Sequence, residues 1–243
     1  MAALAEGNQD AFHERVTIRS GDGTAVPAIH ARPEGMPLAS VVLVPDILGV
    51  RPLFDDVCRR LATHGISVCA PEPFAHLDGY EALDVPARQG RAKELVDEVQ
   101  LDDLERAANL LVVEDGASDV FVLGFCMGGM YTLKAAATGR FERAVAFYGM
   151  IRVPDGWRSE TQRDPLETAG ITCATLGIFG GADPMTPTAD LDALRGAWDG
   201  LPDHEVVVYP EAEHGFVHDP DRPAHRPDDA ADAWRRALSF LLS

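Results

Sequence analysis

Apolar residues in this chain come in short unbroken runs, and longer stretches of mixed apolar and polar character separate them. Val41-Val42-Leu43-Val44, Ile66-Ser67-Val68-Cys69-Ala70, Val120-Phe121-Val122-Leu123, Ala144 to Tyr148, Ala174 to Phe179 and Glu205 to Tyr209 read as buried strands. Between them, Leu53, Val57 and Leu61 fall on one face of a helix starting near Pro52. A long helix is predicted from about Pro86 to Val112, with Leu101, Leu104, Ala108 and Leu111 inward. Further helices are predicted over Met130 to Thr138, Pro187 to Trp198 and Asp228 to Leu242. Val16 to Arg19 and Ala25 to His30 flank the turn Ser20-Gly21-Asp22-Gly23, which predicts an antiparallel hairpin opening the sheet. Arg32 to Pro37 and Phe74 to Val85 read as loops, and residues 150–169 as a long irregular connection of the kind that often covers a site.

Strand and helix alternate throughout, so the expected fold class is α/β: a mostly parallel central sheet of about eight strands with helices on both faces, in one domain over residues 1–243. Ligands bind such sheets beyond the carboxyl ends of the strands. Asp46, Cys126, Asp183 and His214 each follow a predicted strand. Four chemically capable side chains at four strand ends locate a candidate site.

The segment around Cys126 is the most specific of these. An apolar strand ends at Leu123, Gly124-Phe125-Cys126-Met127-Gly128 follows, and a helix begins soon after. A sharp strand-to-helix turn of this kind pushes its central side chain out at the end of the sheet, while small flanking residues let the backbones approach. Gly-x-Cys-x-Gly is expected about 0.03 times by chance from the chain's own composition, so the flanking strand and helix carry much of the signal. A phosphate-binding loop is excluded, because Met130 and Tyr131 stand where Lys and Ser or Thr are required. A dinucleotide fingerprint is excluded by the absence of glycine at 126.

Charge and composition narrow the partners. The net charge of −18 disfavours nucleic acid and anionic membranes, and no apolar run approaches the roughly 20 residues of a membrane span. Met1 to Asp10 has neither a basic start nor an apolar core, so a cytoplasmic location is expected, with Cys58, Cys69, Cys126 and Cys173 reduced. The expected partner is a small molecule, with neither nucleic acid nor membrane, and the protein is expected to be a monomer or small homo-oligomer. His214 and His218 have a spacing that binds metal on a helix, but Gly215 and Pro220 argue against a helix there. No metal and no organic cofactor is expected.

Nucleophile, acid and histidine occur in the order Cys126, Asp183, His214, the chain order of α/β-hydrolases. With Gly-Gly-Ala-Asp-Pro around Asp183, Glu-His-Gly-Phe around His214 and Asp-Arg-Pro-Ala at 221–224, the chain resembles the dienelactone hydrolase family from about Val41 to the last helix. The resemblance implies an α/β-hydrolase fold without a large cap domain. It also implies hydrolysis of small activated esters or enol-lactones through a thioester on Cys126. An ordinary thiol is only a few per cent ionised at neutral pH, so a cysteine nucleophile needs activation, here by the helix N-terminus and His214. Asp183 would hold one tautomer of His214, and the backbone N–H groups of Ile47 and Met127 would form the oxyanion hole.

Two departures from the family stand out. Asp46 occupies the place of a glutamate that helps deprotonate the cysteine, and it is one methylene shorter. The two arginines that hold a substrate carboxylate are replaced by His76 and His218. Asp183 as a helix cap and Asp46 as a plain turn residue stay open, as does an anion-binding or merely bridging role for Arg222 and Arg226. So do a general carboxylesterase or thioesterase on the same residues and an inactive, ligand-binding or oxidant-sensing protein.

Overall fold

The computed structural model describes residues 2–167 and 172–243. The chain opens with β1 (Ala11–Arg19) and β2 (Ala25–Pro33), an antiparallel hairpin. β1 begins five residues before the predicted strand, because Ala11 to Arg15 pair with Pro33 to Ile29 across the hairpin. The remaining strands are β3 (Ala39–Val44), β4 (Ile66–Pro71), β5 (Phe121–Phe125), β6 (Arg143–Phe147), β7 (Ala174–Gly180) and β8 (His204–Tyr209). One eight-stranded sheet results, in the order β1-β2-β4-β3-β5-β6-β7-β8. β2 joins β4 antiparallel, and every pairing from β4 to β8 is parallel. All residues of β3 and β4 are buried, so the sheet is covered on both faces there.

Six α-helices are described: α1 (Pro52–Thr63), α2 (Val85–Arg91), α3 (Asp97–Asp115), α4 (Met127–Ala135), α5 (Thr188–Trp198) and α6 (Pro227–Leu242). α1 turns Phe54, Val57, Cys58 and Leu61 into the core, each apolar side chain contributing about 1.5–3 kcal/mol by burial. Among the described residues, no helix is long and apolar enough to cross a membrane.

The single helix expected from Pro86 to Val112 is two helices. α2 ends in a 3₁₀ turn at Ala92–Glu94, and Leu95 and Val96 are extended before α3 begins. The break is stabilised from elsewhere in the chain. Buried Gln162 donates to the carbonyl of Ala92 (2.7 Å), which also accepts the Leu95 N–H, and to that of Leu95 (2.9 Å). Asp97, in the first turn of α3, accepts from the Arg163 N–H and from the buried Lys134 ammonium. The irregular connection after β6 therefore caps a helix far from it in sequence. Residues 168 and 169, the end of that predicted connection, lie outside the described residues.

The helix expected from Met130 starts at Met127, directly after Cys126. Gly128 and Gly129 are poor helix formers, yet packing requires them. A Cβ on Gly128 would lie 2.1 Å from the Val44 carbonyl oxygen, and one on Gly124 would lie 2.3 Å from that of Gly128. Glycine at both positions lets the start of α4 lie against the ends of β3 and β5.

Candidate active site

Cys126 joins β5 to α4 with φ 57° and ψ −119°, a conformation that non-glycine residues adopt only under strain. The backbone is held on both sides: its N–H donates to the Phe147 carbonyl (3.0 Å), and its carbonyl accepts from Met130 N–H (2.9 Å). The predicted elbow is therefore present. Cys126 lines a pocket of about 380 Å³ together with Asp46, Ile47, Trp157, Met185, His214 and Arg222. The other three cysteines are shut in the core: burial pushes the Cys69 thiol up to about 12 and the Cys173 thiol up to about 11, and raises Cys58 well above its ordinary value.

Asp183 and His214 follow β7 and β8, and the fold brings them together. His214 Nδ1 lies 2.7 Å from Asp183 Oδ2, while Met185 N–H donates to Asp183 Oδ1 at 2.7 Å. The carboxylate is thus oriented by the turn that follows it. His214 Nε2 is buried and has no hydrogen-bond partner among the described residues. Burial opposes a charged imidazole, but the charge of Cys126 and the hydrogen bond to Asp183 outweigh it and raise the His214 pKa to about 10. His214 therefore sits within electrostatic reach of the sulfur with one nitrogen free.

Asp46 belongs to a second, closed network. Oδ1 accepts from Leu48 N–H (2.9 Å) and Arg51 Nη1 (2.6 Å); Oδ2 accepts from Arg51 Nη2 (2.9 Å) and pairs with His218 Nε2 (2.9 Å). On the other side of the ring, His218 Nδ1 lies 2.5 Å from the Tyr148 hydroxyl. Burial works to raise the Asp46 pKa, but hydrogen bonds from His218 and Arg51 and the charge of Arg51 hold it well below the usual carboxylate range. Burial keeps His218 neutral, lowering its pKa against the pull of Asp46. Neutral His218 then donates from Nε2–H to Asp46 and accepts the Tyr148 O–H at Nδ1.

This arrangement corrects two expectations. His218 is fully buried, has both nitrogens engaged and stacks on Phe125 (centroids 4.9 Å apart), so it presents nothing to a ligand. His76 is outside the pocket wall; its Nε2 pairs with Asp103 (2.9 Å) and its Nδ1 lies 3.4 Å from Asp22. The reason is burial of carboxylates by the fold: Asp46 and Asp103 both require a partner in the interior, and the nearest imidazoles supply it. Neither histidine is positioned to hold a substrate carboxylate.

Ile47 lies in the pocket wall and Met127 is the first residue of α4. Neither backbone N–H donates to another group among the described residues. The turn carrying Ile47 is held twice. Beyond the Asp46–Arg51 pair, Glu72 accepts from Val50 N–H (2.7 Å) and pairs with Arg88 of α2 (2.9 Å). α2 in turn contributes Val85 and Gln89 to the pocket, and the connection after β6 contributes Trp157.

Tyr148, Arg51 and Trp157 escape a reading of sequence alone. Tyr148 has a signal in hindsight, since it follows β6 at the carboxyl end of the sheet, where its φ is 37°. Arg51 and Trp157 lie in a turn and an irregular segment with no motif around them.

The model of the dienelactone hydrolase family matches residues 26–243. A protein of Escherichia coli O157:H7 named "Putative carboxymethylenebutenolidase" is 32% identical over 247 aligned positions, spanning 99% of this chain and 90% of that one. The carboxymethylenebutenolidase of Rhodococcus opacus is 28% identical over 218 positions, spanning 89% of this chain and 85% of that one. A crystal structure titled "Putative Dienelactone Hydrolase", from Klebsiella pneumoniae, is similar with a TM-score of 0.87 at 31% identity, covering 95% of this chain and 98% of that chain. Fold, strand-end chemistry and these likenesses agree, and the chain belongs to the dienelactone hydrolase family, as a hydrolase of the α/β-hydrolase fold.

Proposed function

We propose that this hydrolase cleaves small activated esters, enol-lactones foremost, with Cys126 as nucleophile and a thioester intermediate. The observation that carries the reading is the strained Cys126 in one pocket with His214, whose second nitrogen is free and whose first is held by Asp183. His214 Nε2 takes the thiol proton, the Cys126 sulfur attacks the carbonyl carbon, and the carbonyl π pair moves to oxygen, stabilised by the N–H groups of Ile47 and Met127. Collapse breaks the bond to the enol oxygen, which takes the proton of the His214 imidazolium, and the enol relaxes to its ketone. Water then gives a proton to His214 Nε2 and bonds to the acyl carbon, the carbon–sulfur bond breaks, and the acid leaves.

Asp183 keeps the His214 Nδ1–H in place and stabilises the cation. Asp46 has four donors on its two oxygens, so on this reading it anchors the turn bearing Ile47 and does not take the thiol proton. The name of the Rhodococcus opacus relative, a carboxymethylenebutenolidase, supports a lactone as substrate.

Intact-protein and peptide mass spectrometry after mixing with a slowly turned-over activated ester tests the mechanism. An acyl adduct on Cys126 is expected, together with loss of turnover in Cys126→Ala. An adduct on Cys58, Cys69 or Cys173, or full turnover in the variant, overturns it.

A further inference from the structure

The turn after β3 leaves one backbone donor open, and its neighbours fix where that donor points. Leu48 N–H donates to the Asp46 carboxylate (2.9 Å), Gly49 N–H to the Asp46 carbonyl (2.9 Å) and Val50 N–H to Glu72 Oε2 (2.7 Å). Ile47 N–H, just before them, has no partner among the described residues. Its direction therefore follows from the anchors of the other three. Two of those belong to Asp46, inside the turn itself. The third, Glu72, comes from outside, directly after β4.

Glu72 is buried, and its Oε1 accepts from Phe74 N–H (3.1 Å) and Arg88 Nη1 (2.9 Å). The ion pair lies directly against the turn. A Cβ on Gly49, whose φ is 67°, would be 2.3 Å from Glu72 Oε2 and 2.7 Å from Arg88 Nη1. Arg88 is also the buried residue of α2; no apolar side chain of that helix is buried. Its guanidinium lies 4.8 Å from the centre of the Phe74 ring. Because α2 carries Val85 and Gln89 in the pocket wall, Arg88 anchors that wall. A buried ion pair adds little net stability beyond what well-packed apolar side chains would supply. What this one supplies is geometry: a single carboxylate fixes the turn on one side and the pocket wall on the other.

We propose that Glu72 is a positioning residue for the hydrolysis: paired with Arg88, it holds the turn that aims Ile47 N–H at the developing oxyanion and ties that turn to α2. The inference rests on the hydrolytic reading of the Cys126 pocket. Glu72 is not in the pocket wall and acts through Val50. An oxyanion donor contributes chiefly in the transition state, and a displacement of about an ångström forfeits much of its effect. Loosening Glu72 therefore slows the chemical step more than it weakens substrate binding.

The test uses Glu72→Gln and Arg88→Lys in the full chain, with two thiol probes beside turnover of p-nitrophenyl acetate. The Cys126 thiolate displaces iodide from iodoacetamide, a reaction that builds no oxyanion. With a trifluoromethyl ketone the sulfur bonds to the carbonyl carbon, the π pair moves to oxygen and the thiol proton goes to His214. That adduct mimics the tetrahedral transition state. Glutamine keeps the shape of Glu72 but has one acceptor oxygen where Glu72 uses two. In Glu72→Gln, kcat and affinity for the ketone should fall together, by about tenfold to a hundredfold. The alkylation rate at Cys126 should stay within about twofold of wild type. Arg88→Lys keeps the charge and should show a smaller loss of the same pattern.

A kcat and a ketone affinity unchanged to within about twofold in Glu72→Gln overturn the proposal. So does a fall in which alkylation slows equally, since that is damage to the whole site. If Glu72→Gln does not fold, Arg88→Lys decides by the same criteria. Cys126→Ala assayed alongside separates the two readings: retained turnover there removes the thiol mechanism, whereas kcat of the Glu72 variant reports on the turn whichever residue attacks.

Discussion

His214 and His218 lie four residues apart, and each has an aspartate on one ring nitrogen, at 2.7 Å from Asp183 and 2.9 Å from Asp46. Their surroundings make them opposites. His214 keeps Nε2 unpartnered beside Cys126 at the pocket, and its pKa is raised to about 10. His218 is enclosed by Phe54 and Phe125, gives its second nitrogen to Tyr148 and is held neutral by burial. An Asp–His pair is therefore a catalytic candidate only when the other nitrogen is open to something that reacts. The closed pair is a structural fastener: it ties the turn after β3 to the segment after β8 and to the end of β6.

The largest effect expected from this contrast is on rate. Asp183→Asn should lower kcat on p-nitrophenyl acetate by about 10³–10⁴-fold with little change in KM, because the tautomer and the cation are supported chiefly in the transition state. An unchanged kcat would erase the distinction between the two pairs.

Next in size is a loss of stability from the closed pair. Asp46→Ala leaves Arg51 and His218 without their buried partner and should cost about 3–5 kcal/mol in urea or guanidinium unfolding. The sign with pH follows from the lowered carboxyl. Its folded pKa is below the unfolded value of 3.8, so its contribution is present above about pH 4 and is lost as pH falls through the folded value. Wild type should therefore lose stability in acid more steeply than Asp46→Ala. Parallel acid limbs for the two proteins would mean that Asp46 is not held as an ionised group.

The smallest of the three is Tyr148→Phe. It removes one donor and leaves His218 Nδ1 buried without a partner, a cost of about 1–3 kcal/mol. Turnover should change far less than in Asp183→Asn. A loss of kcat comparable to that of Asp183→Asn, with normal thermal stability, would place Tyr148 in the chemistry rather than in the fastener; its ring does meet His214 edge-on at 5.1 Å.

Much of this protein was legible in one dimension. Short apolar runs between amphipathic stretches reveal a parallel sheet, since period and burial are local properties of the chain. Gly124, Cys126 and Gly128 reveal the elbow, because close backbone approach admits so few residue types there. The positions of Asp46, Cys126, Asp183 and His214 after strands follow from the same alternation. Tertiary structure alone decided what each of those groups faces. Gln162 bonds to carbonyls 67 and 70 residues away, at the break in a helix that its own periodicity would continue. His218 meets Asp46 across 172 residues and Tyr148 across 70, which turns an apparent ligand for substrate into part of the interior. Among the described residues Arg222 has no carboxylate partner: its guanidinium lies over Gly215, and the Asp219 carboxylate of the same pocket wall accepts from Asp221 N–H instead. The sequence states which donors and acceptors exist, but burial drives most of them to find a partner, and only the folded packing determines which ones remain open.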